Sequence, residues 1–291
     1  MVEITNKQKI LFPKSKISKE EYVNYYKKIA KKILPFIKDR PLTLKRFPNG
    51  IQGEKFFQKK VMDYYPKWIK TVVVKRAGKP SIKMPVITSL DSLLYIANQV
   101  GELHPWLSKI DKLNYPDRLI FDLDPEKNNF SKVIDAAKDL KNILDALKLP
   151  SFLMTTGSKG LHIIIPIKRE KTFDEVRAFA KKVALLLTKK YPTKYTIETR
   201  KDKRKKRVFI DYLRNAFAQT AVSAYSIRAI ESAPIATPIT FQELTKDFNS
   251  QKFNVKNIFK RAKNSISSLN SKAASIKNAS AKIEKLLENF N

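Results

Sequence analysis

The chain has 291 residues, with 59 Lys and Arg against 27 Asp and Glu, a formal net charge of +32. Its hydrophobic share of 43% is that of a chain that folds around a core, which excludes wholesale disorder, and no apolar run reaches the ~20 residues that cross a bilayer. There is no Cys and there are two His, which removes disulfides, thiolate zinc centres, Cys nucleophiles and multi-histidine metal sites together.

The N-terminal run MVEITNKQKI lacks the apolar core of a signal peptide, so a cytoplasmic protein with no membrane partner is expected. Ser18 with Glu21 forms a capping box, and Tyr22, Tyr25, Tyr26, Ile29 and Ile33 follow at helical spacing up to Pro35, which is expected to end the helix. Pro41–Phe47 reads as a strand, Pro48-Asn49-Gly50 as a turn, and Ile51–Gln58 as the other arm of a hairpin. Thr71–Lys75 is a further strand, and Asp91–Gln99 a short helix closed by Gly101. Arg118–Asp124 is an apolar strand; Ser131 caps a helix whose Val133, Ile134, Ala137, Leu140, Ile143, Leu144 and Leu147 make one face. Strands Phe152–Thr155 and Leu161–Ile167 flank a glycine turn. Thr172 and Glu175 cap a helix running to about Lys190, and a basic hairpin loop, Arg200–Arg207, leads into strand Val208–Tyr212. The pattern predicts an α+β fold. Residues 1–250 form the expected main domain, an N-terminal lobe of about 1–110 with a core of about 111–250. Residues 251–291 form a helical appendage carrying Ile276, Ile283, Leu286 and Leu287.

The charge favours a polyanionic partner, because each phosphate met by Lys or Arg releases counterions. A lysine-rich solvated surface would give the same count, so chemistry must come from particular residues. Asp122 and Asp124 alternate with Leu123 and share one strand face. Two adjacent carboxylates repel unless a cation lies between them, and their hard oxygens suit Mg²⁺ or Mn²⁺; alternatively they face solvent ahead of the turn Pro125-Glu126. Asp211, inside a second apolar strand, would complete a trio able to hold the two ions of in-line phosphoryl transfer, or would pair with Arg214 or Arg207. In Thr155–His162, backbone N–H groups, the hydroxyls of Thr156 and Ser158, and Lys159 offer a cradle for triphosphate oxygens, or an ordinary hairpin turn. Arg228 is a further phosphate ligand or a surface ion pair, and His104 and His162 are either structural or functional imidazoles.

In order along the chain stand Arg40–Gly50, Phe56–Lys59, Glu102–Trp106, Pro116–Pro125, Thr156–His162, Phe209–Tyr212 and Tyr225–Ala229. Together they resemble the polymerase domain of the bacterial multifunctional DNA ligase D and its stand-alone archaeal relatives, in the archaeo-eukaryotic primase superfamily, over about residues 3–250. The resemblance implies a primase-polymerase core with an RNA-recognition-like sheet, two divalent ions, nucleoside triphosphates as substrates, and a role at gaps and broken ends in end joining. It implies Asp122, Asp124 and Asp211 as metal ligands. Lys45, His104, Thr156, Lys159, His162 and Arg228 would surround the incoming nucleotide, and Phe57 would stack near the template base. Lys9 and Lys19 match lysines that hold a 5′ phosphate across a gap. Thr156 replaces the usual Ser, which bears on ribose selection, and the 200–207 segment and the tail fit the family poorly. With no ligase or nuclease segment in the chain, a separate ligase and a Ku homologue are expected partners. A replicative or mobile-element primase and a non-enzymatic nucleic-acid-binding protein are the alternatives.

Overall fold

The computed structural model describes residues 2–76, 78–125, 129–261 and 273–290. Glu126 of the predicted turn and residues 262–272 of the predicted appendage lie outside the described residues. The chain forms two compact units, Met1–Asp111 with Thr220–Thr237 and Phe253–Lys260, and Lys112–Gln219 with Pro238–Lys252 and Arg261–Asn291.

The first unit contains β1 (Ile10–Phe12), β2 (Ile17–Ser18), α1 (Lys19–Ile37), β3 (Leu42–Arg46), β4 (Phe56–Gln58), β5 (Thr71–Arg76), β6 (Lys79–Pro85), α2 (Leu90–Asn98) and β7 (Gly101–Pro105). The Ser18 hydroxyl accepts the Glu21 N–H, and the Glu21 carboxylate accepts the Ser18 N–H, so α1 starts at its predicted capping box. It does not stop at Pro35. A proline in the last turn removes a single helical N–H bond, and Phe36 and Ile37 remain buried, so the helix runs to Ile37. The second hairpin arm is only three residues long. Gly50 turns the chain at φ +81°, and the Ile51 N–H bonds the Leu11 carbonyl, which diverts the segment away from β3. The helix α2 is closed by left-handed Val100, not Gly101, which instead opens β7. The sequence reading missed β6 because Lys79, Pro80 and Lys83 break its alternation.

β3 lies between β4 and β7, all antiparallel. Leu42, Leu44 and Leu103 bury on one face. Lys45 stands opposite Phe57 and Glu102, and Thr43 opposite His104. Directly paired residues share a face, so Lys45, Phe57, Glu102 and His104 line the other side.

The second unit contains β8 (Arg118–Asp124), α3 (Phe130–Ala146), β9 (Phe152–Thr155), β10 (Leu161–Pro166), α4 (Phe173–Lys190), β11 (Tyr195–Thr196), β12 (Val208–Asp211), β13 (Pro238–Ile239) and α5 (Lys277–Glu288). Its six-stranded sheet has the order β11-β12-β8-β10-β9-β13. One face is an apolar layer of Leu119, Phe121, Leu123, Leu161, Ile163, Ile165 and Ile210. α3 and α4 pack on each other and on β8, and α5 packs on α4 through buried Ala279 and Ile283. Fold class is therefore α+β, as expected. Two local readings are corrected. The α3 N-cap is Asn129, whose side-chain oxygen accepts the Ser131 hydroxyl, so Ser131 lies inside the first turn. Residues 200–207 are not a hairpin loop, because β11 and β12 are parallel and the segment is a crossover containing a short 3₁₀ turn. Among the described residues no helix is long and apolar enough to cross a membrane.

β12 ends at Asp211, yet β8 continues beside it to Arg118. Asn215, fully buried, takes over as a substitute strand: its Oδ1 accepts the Ile120 N–H, and its Nδ2 donates to the Ile120 and Tyr212 carbonyls, each at 2.8 Å. Asn215→Ala strands the Ile120 N–H and carbonyl in the interior, and should lower the unfolding free energy in urea by about 2 kcal/mol or more. A change below about 0.5 kcal/mol would show that the clamp is dispensable.

Candidate active site

The antiparallel pairing of β8 with both neighbours sets the central geometry. Asp211 on β12 and His162 on β10 both stand directly opposite Asp122. The three side chains therefore form a row across three strands on the face opposite the apolar layer, with Asp124 two residues along the same strand. Asp122 and Asp211 are buried, at 8% and 7% exposure.

The His162 Nε2 is 3.4 Å from Asp122 Oδ1. Arg214 places its Nε 3.3 Å from Asp211 Oδ2 and 3.6 Å from Asp122 Oδ2, and the Leu213 N–H donates to Asp211 Oδ1 at 2.7 Å. The sequence reading that paired Asp211 with Arg214 is thus realised, whereas Arg207 directs its guanidinium to the carbonyls of Arg204, Lys203 and Pro192. Burial, then the charge of Asp122, pushes the Asp124 carboxyl up to about 6. Burial raises that of Asp211 too, against the pull of Arg214. Among the described residues no three His, Asp or Glu side chains are gathered in a coordination geometry; a guanidinium supplies the positive charge beside Asp122 and Asp211.

The 156–160 loop is fixed against the same strand. Thr156 donates its hydroxyl to the Gly160 carbonyl at 3.1 Å, and the Thr156 Oγ1 accepts the N–H groups of Gly160 at 3.1 Å and Ser158 at 3.3 Å. Ser250 donates to the same carbonyl at 2.8 Å, and Gln251 to the Ser158 carbonyl at 3.1 Å. A Cβ on Gly160 would lie 2.3 Å from the Leu123 carbonyl oxygen and 3.2 Å from Asp124 Oδ1. Only glycine lets the loop lie this close to β8 between its two aspartates. Ser158 is half-buried and Lys159 exposed.

The first unit carries the other predicted residues. On its sheet face the Phe57 ring, 63% exposed, sits edge-on to His104 with centroids 6.2 Å apart. Glu102, 2% exposed, accepts His104 Nε2–H at 3.1 Å and the Ala229 N–H at 2.9 Å, and pairs with Arg228 Nε at 3.1 Å. Burial would raise the Glu102 carboxyl, but the His104 hydrogen bond and the Arg228 charge hold it at about 2. Burial depresses His104 despite its carboxylate partner, leaving a neutral ring with a fixed tautomer. Lys45 lies close enough to add to that depression. Elsewhere in the unit Lys9 donates to Asn49 at 2.7 Å and Lys19, 7% exposed, to Thr5 at 2.8 Å. Burial lowers the Lys19 amine, and the charges of Lys9 and Arg46 lower it further. Three cations thus stand within electrostatic reach of one another, an arrangement that an anion relieves.

The structure brings Asp122, Asp124, Asp211, His162, Thr156, Ser158 and Lys159 into one unit, and Lys45, Phe57, His104, Arg228, Lys9 and Lys19 into the other. Sequence reasoning missed Glu102, which organises the His104–Arg228 pair. Its signal was the alternation in Glu102–Trp106, which puts Glu102 and His104 on one face once that stretch is read as a strand. Gly160 and Ser250 gave no comparable signal. Glu102 has a folded value of about 2 against 4.5 unperturbed, so it stabilises the fold above pH 4.5 and that contribution is lost as pH falls toward 2. The difference is on the order of 3 kcal/mol. In Glu102→Gln the stability-against-pH curve between pH 5 and 2 should flatten; an unchanged slope would count against this assignment.

The primase-polymerase domain model of LigD matches residues 18–268. The chain is 30% identical over 265 residues to the bifunctional non-homologous end joining protein LigD of Bacillus subtilis, covering 90% of this chain and 42% of that protein. It is 31% identical over 264 residues to the multifunctional non-homologous end joining protein LigD of Pseudomonas aeruginosa, covering 89% and 31%. The chain thus spans less than half the length of these relatives. The structure of the polymerase domain from Mycobacterium tuberculosis ligase D in complex with DNA superposes with a TM-score of 0.85 at 29% identity, covering 90% of this chain and 94% of that one.

Proposed function

The chain belongs to the LigD primase-polymerase domain family and is a nucleotidyl transferase of the polymerase type; from that premise we propose that it extends DNA 3′ ends on a template, adding ribo- or deoxyribonucleotides at gaps and breaks in non-homologous end joining. The observation that carries this reading is the buried row of Asp211, Asp122 and His162 with Asp124 beside it.

The family is metal-dependent, and the donor set here fits a hard divalent cation: three carboxylates on one sheet face, two of them held above their ordinary range by burial and mutual charge. Asp122, Asp124 and Asp211 would hold two Mg²⁺ or Mn²⁺ ions. Such ions supply a lowered pKa for the attacking 3′ hydroxyl and neutralise charge on the reacting phosphate. Arg214, now against two of these aspartates, would give way to the ions. The Thr156–Gly160 loop, with Ser158 and Lys159, would receive triphosphate oxygens through backbone N–H groups and the lysine ammonium. His162 would bind the same group. Lys45 and Arg228 would add charge to the phosphates, and neutral His104, its one N–H held by Glu102, would accept a hydrogen bond from the nucleotide at Nδ1. Phe57, exposed and edge-supported by His104, offers a template base a flat face that accepts any of the four. Lys9 and Lys19 would hold the 5′ phosphate across the gap. Partners follow from the reading: gapped or broken DNA, nucleoside triphosphates, a Ku homologue and a separate ligase.

Extension of a primer across a gap with Mn²⁺ tests the core of the proposal. Asp122→Ala with Asp124→Ala should reduce it by at least about 10³-fold while DNA binding persists; undiminished extension would refute the assignment. Lys9→Ala with Lys19→Ala should abolish the preference for a 5′-phosphorylated gap, a loss of about tenfold in affinity for that substrate alone. Equal losses on phosphorylated and unphosphorylated gaps would refute a 5′-phosphate role.

A further inference from the structure

The segment Lys59–Lys70 holds an aromatic cluster that the reading above leaves without a purpose. Trp68 is 54% exposed and Tyr64 57% exposed, large apolar surfaces for a chain to leave in water. They are nevertheless held in place. Trp68 stands edge-on to Tyr95 at 5.6 Å, Tyr95 edge-on to Tyr65 at 5.3 Å, and Tyr65 lies 5.4 Å from Tyr64. The Tyr64 hydroxyl accepts from Arg46 Nη1 at 3.1 Å and donates to Gln99 Oε1 at 3.4 Å, and its carbonyl accepts the Tyr95 hydroxyl at 3.4 Å. Two inner rings thus fix the orientation of two outer ones, which spares a ligand the cost of ordering them.

Charge chooses the ligand. Lys59, Lys60, Lys67 and Lys70 are all exposed in this segment, against a single acid, Asp63. Lysines around a buried-style apolar contact would oppose an apolar protein partner, whereas rings interleaved with cations are what a strand of stacked bases and phosphates requires. A duplex hides its base faces and cannot use the rings. We infer that Tyr64 and Trp68 form a stacking platform for single-stranded nucleic acid, with the flanking lysines along its backbone. Arg46 links the platform to the Lys9–Lys19 cluster. That the bound strand is the unpaired one of a gapped substrate rests on the role of those lysines proposed above; the binding itself does not.

The chain's two tryptophans make the platform readable, because Trp106 is 1% exposed and Trp68 is open. An oligothymidylate of about 12 nucleotides, titrated without nucleotide or metal, should quench Trp68 emission, and a blunt hairpin duplex should not. By polarisation of a labelled strand, Trp68→Ala and Tyr64→Ala should each weaken binding about tenfold, while Trp68→Phe, which keeps a ring, should stay within about twofold. Unchanged emission at saturation, equal quenching by the duplex, or unaltered affinity in both alanine variants would overturn the proposal. So would sedimentation showing a self-association of the wild type that Trp68→Ala abolishes, since the patch would then be covered by a second copy. Because no catalysis is read, loss of polymerase activity and loss of this platform are separately visible.

Discussion

The interaction on which the second unit depends is the placement of carboxylates on the central strand of a buried sheet. Asp122 is flanked on both sides by ladder partners, His162 and Asp211, so none of the three can swing away without breaking the sheet. Burial, and next to it the like charge of Asp122, raises proton affinity, which is why Asp124 sits at about 6. The fold tolerates this because the opposite face of the same strands is apolar and fully covered. Apolar packing occupies one face and the carboxylates the other, and strand alternation keeps them apart.

The surroundings of that row serve to hold it. Asn215 replaces a missing strand beside Ile120, and Gly160 brings a loop onto the Leu123 carbonyl, where any side chain would collide. The Thr156 hydroxyl, singled out from sequence as a nucleotide contact, is spent on the turn itself, bonding both the N–H and the carbonyl of Gly160. In the first unit a different principle operates. Glu102 gathers a neutral imidazole, a guanidinium and a backbone N–H around one buried carboxylate, and so holds the imidazole and guanidinium in fixed orientation on a sheet face that also carries Phe57 and Lys45.

Much of this was legible before any coordinates. The strand Arg118–Asp124, the capping boxes at Ser18 and Thr172, and the alternation that turns Asp122 and Asp124 the same way are all local, and local rules suffice for them. Errors occurred where a distant contact overruled the local signal. Pro35 failed to stop α1 because two buried residues beyond it hold the helix on. Ile51–Lys55 left the hairpin because Leu11 offered a backbone carbonyl. The Arg200–Arg207 segment looks like a hairpin loop until the parallel pairing of β11 with β12 shows it to be a crossover.

By itself, the sequence determined which residues are chemically able to serve as a site and which face of their strand they occupy, because side-chain alternation and residue type are properties of the chain. Tertiary structure alone decided the pairing register that sets Asp211 and His162 against Asp122, and the choice of Arg214 over Arg207 as their cation. It also decided the recruitment of Thr220–Thr237 to the first unit, where Arg228 meets Glu102. Apart from the local Arg214–Asp211 pair, those are agreements between segments 40 to more than 100 residues apart, and no periodicity within either segment encodes them.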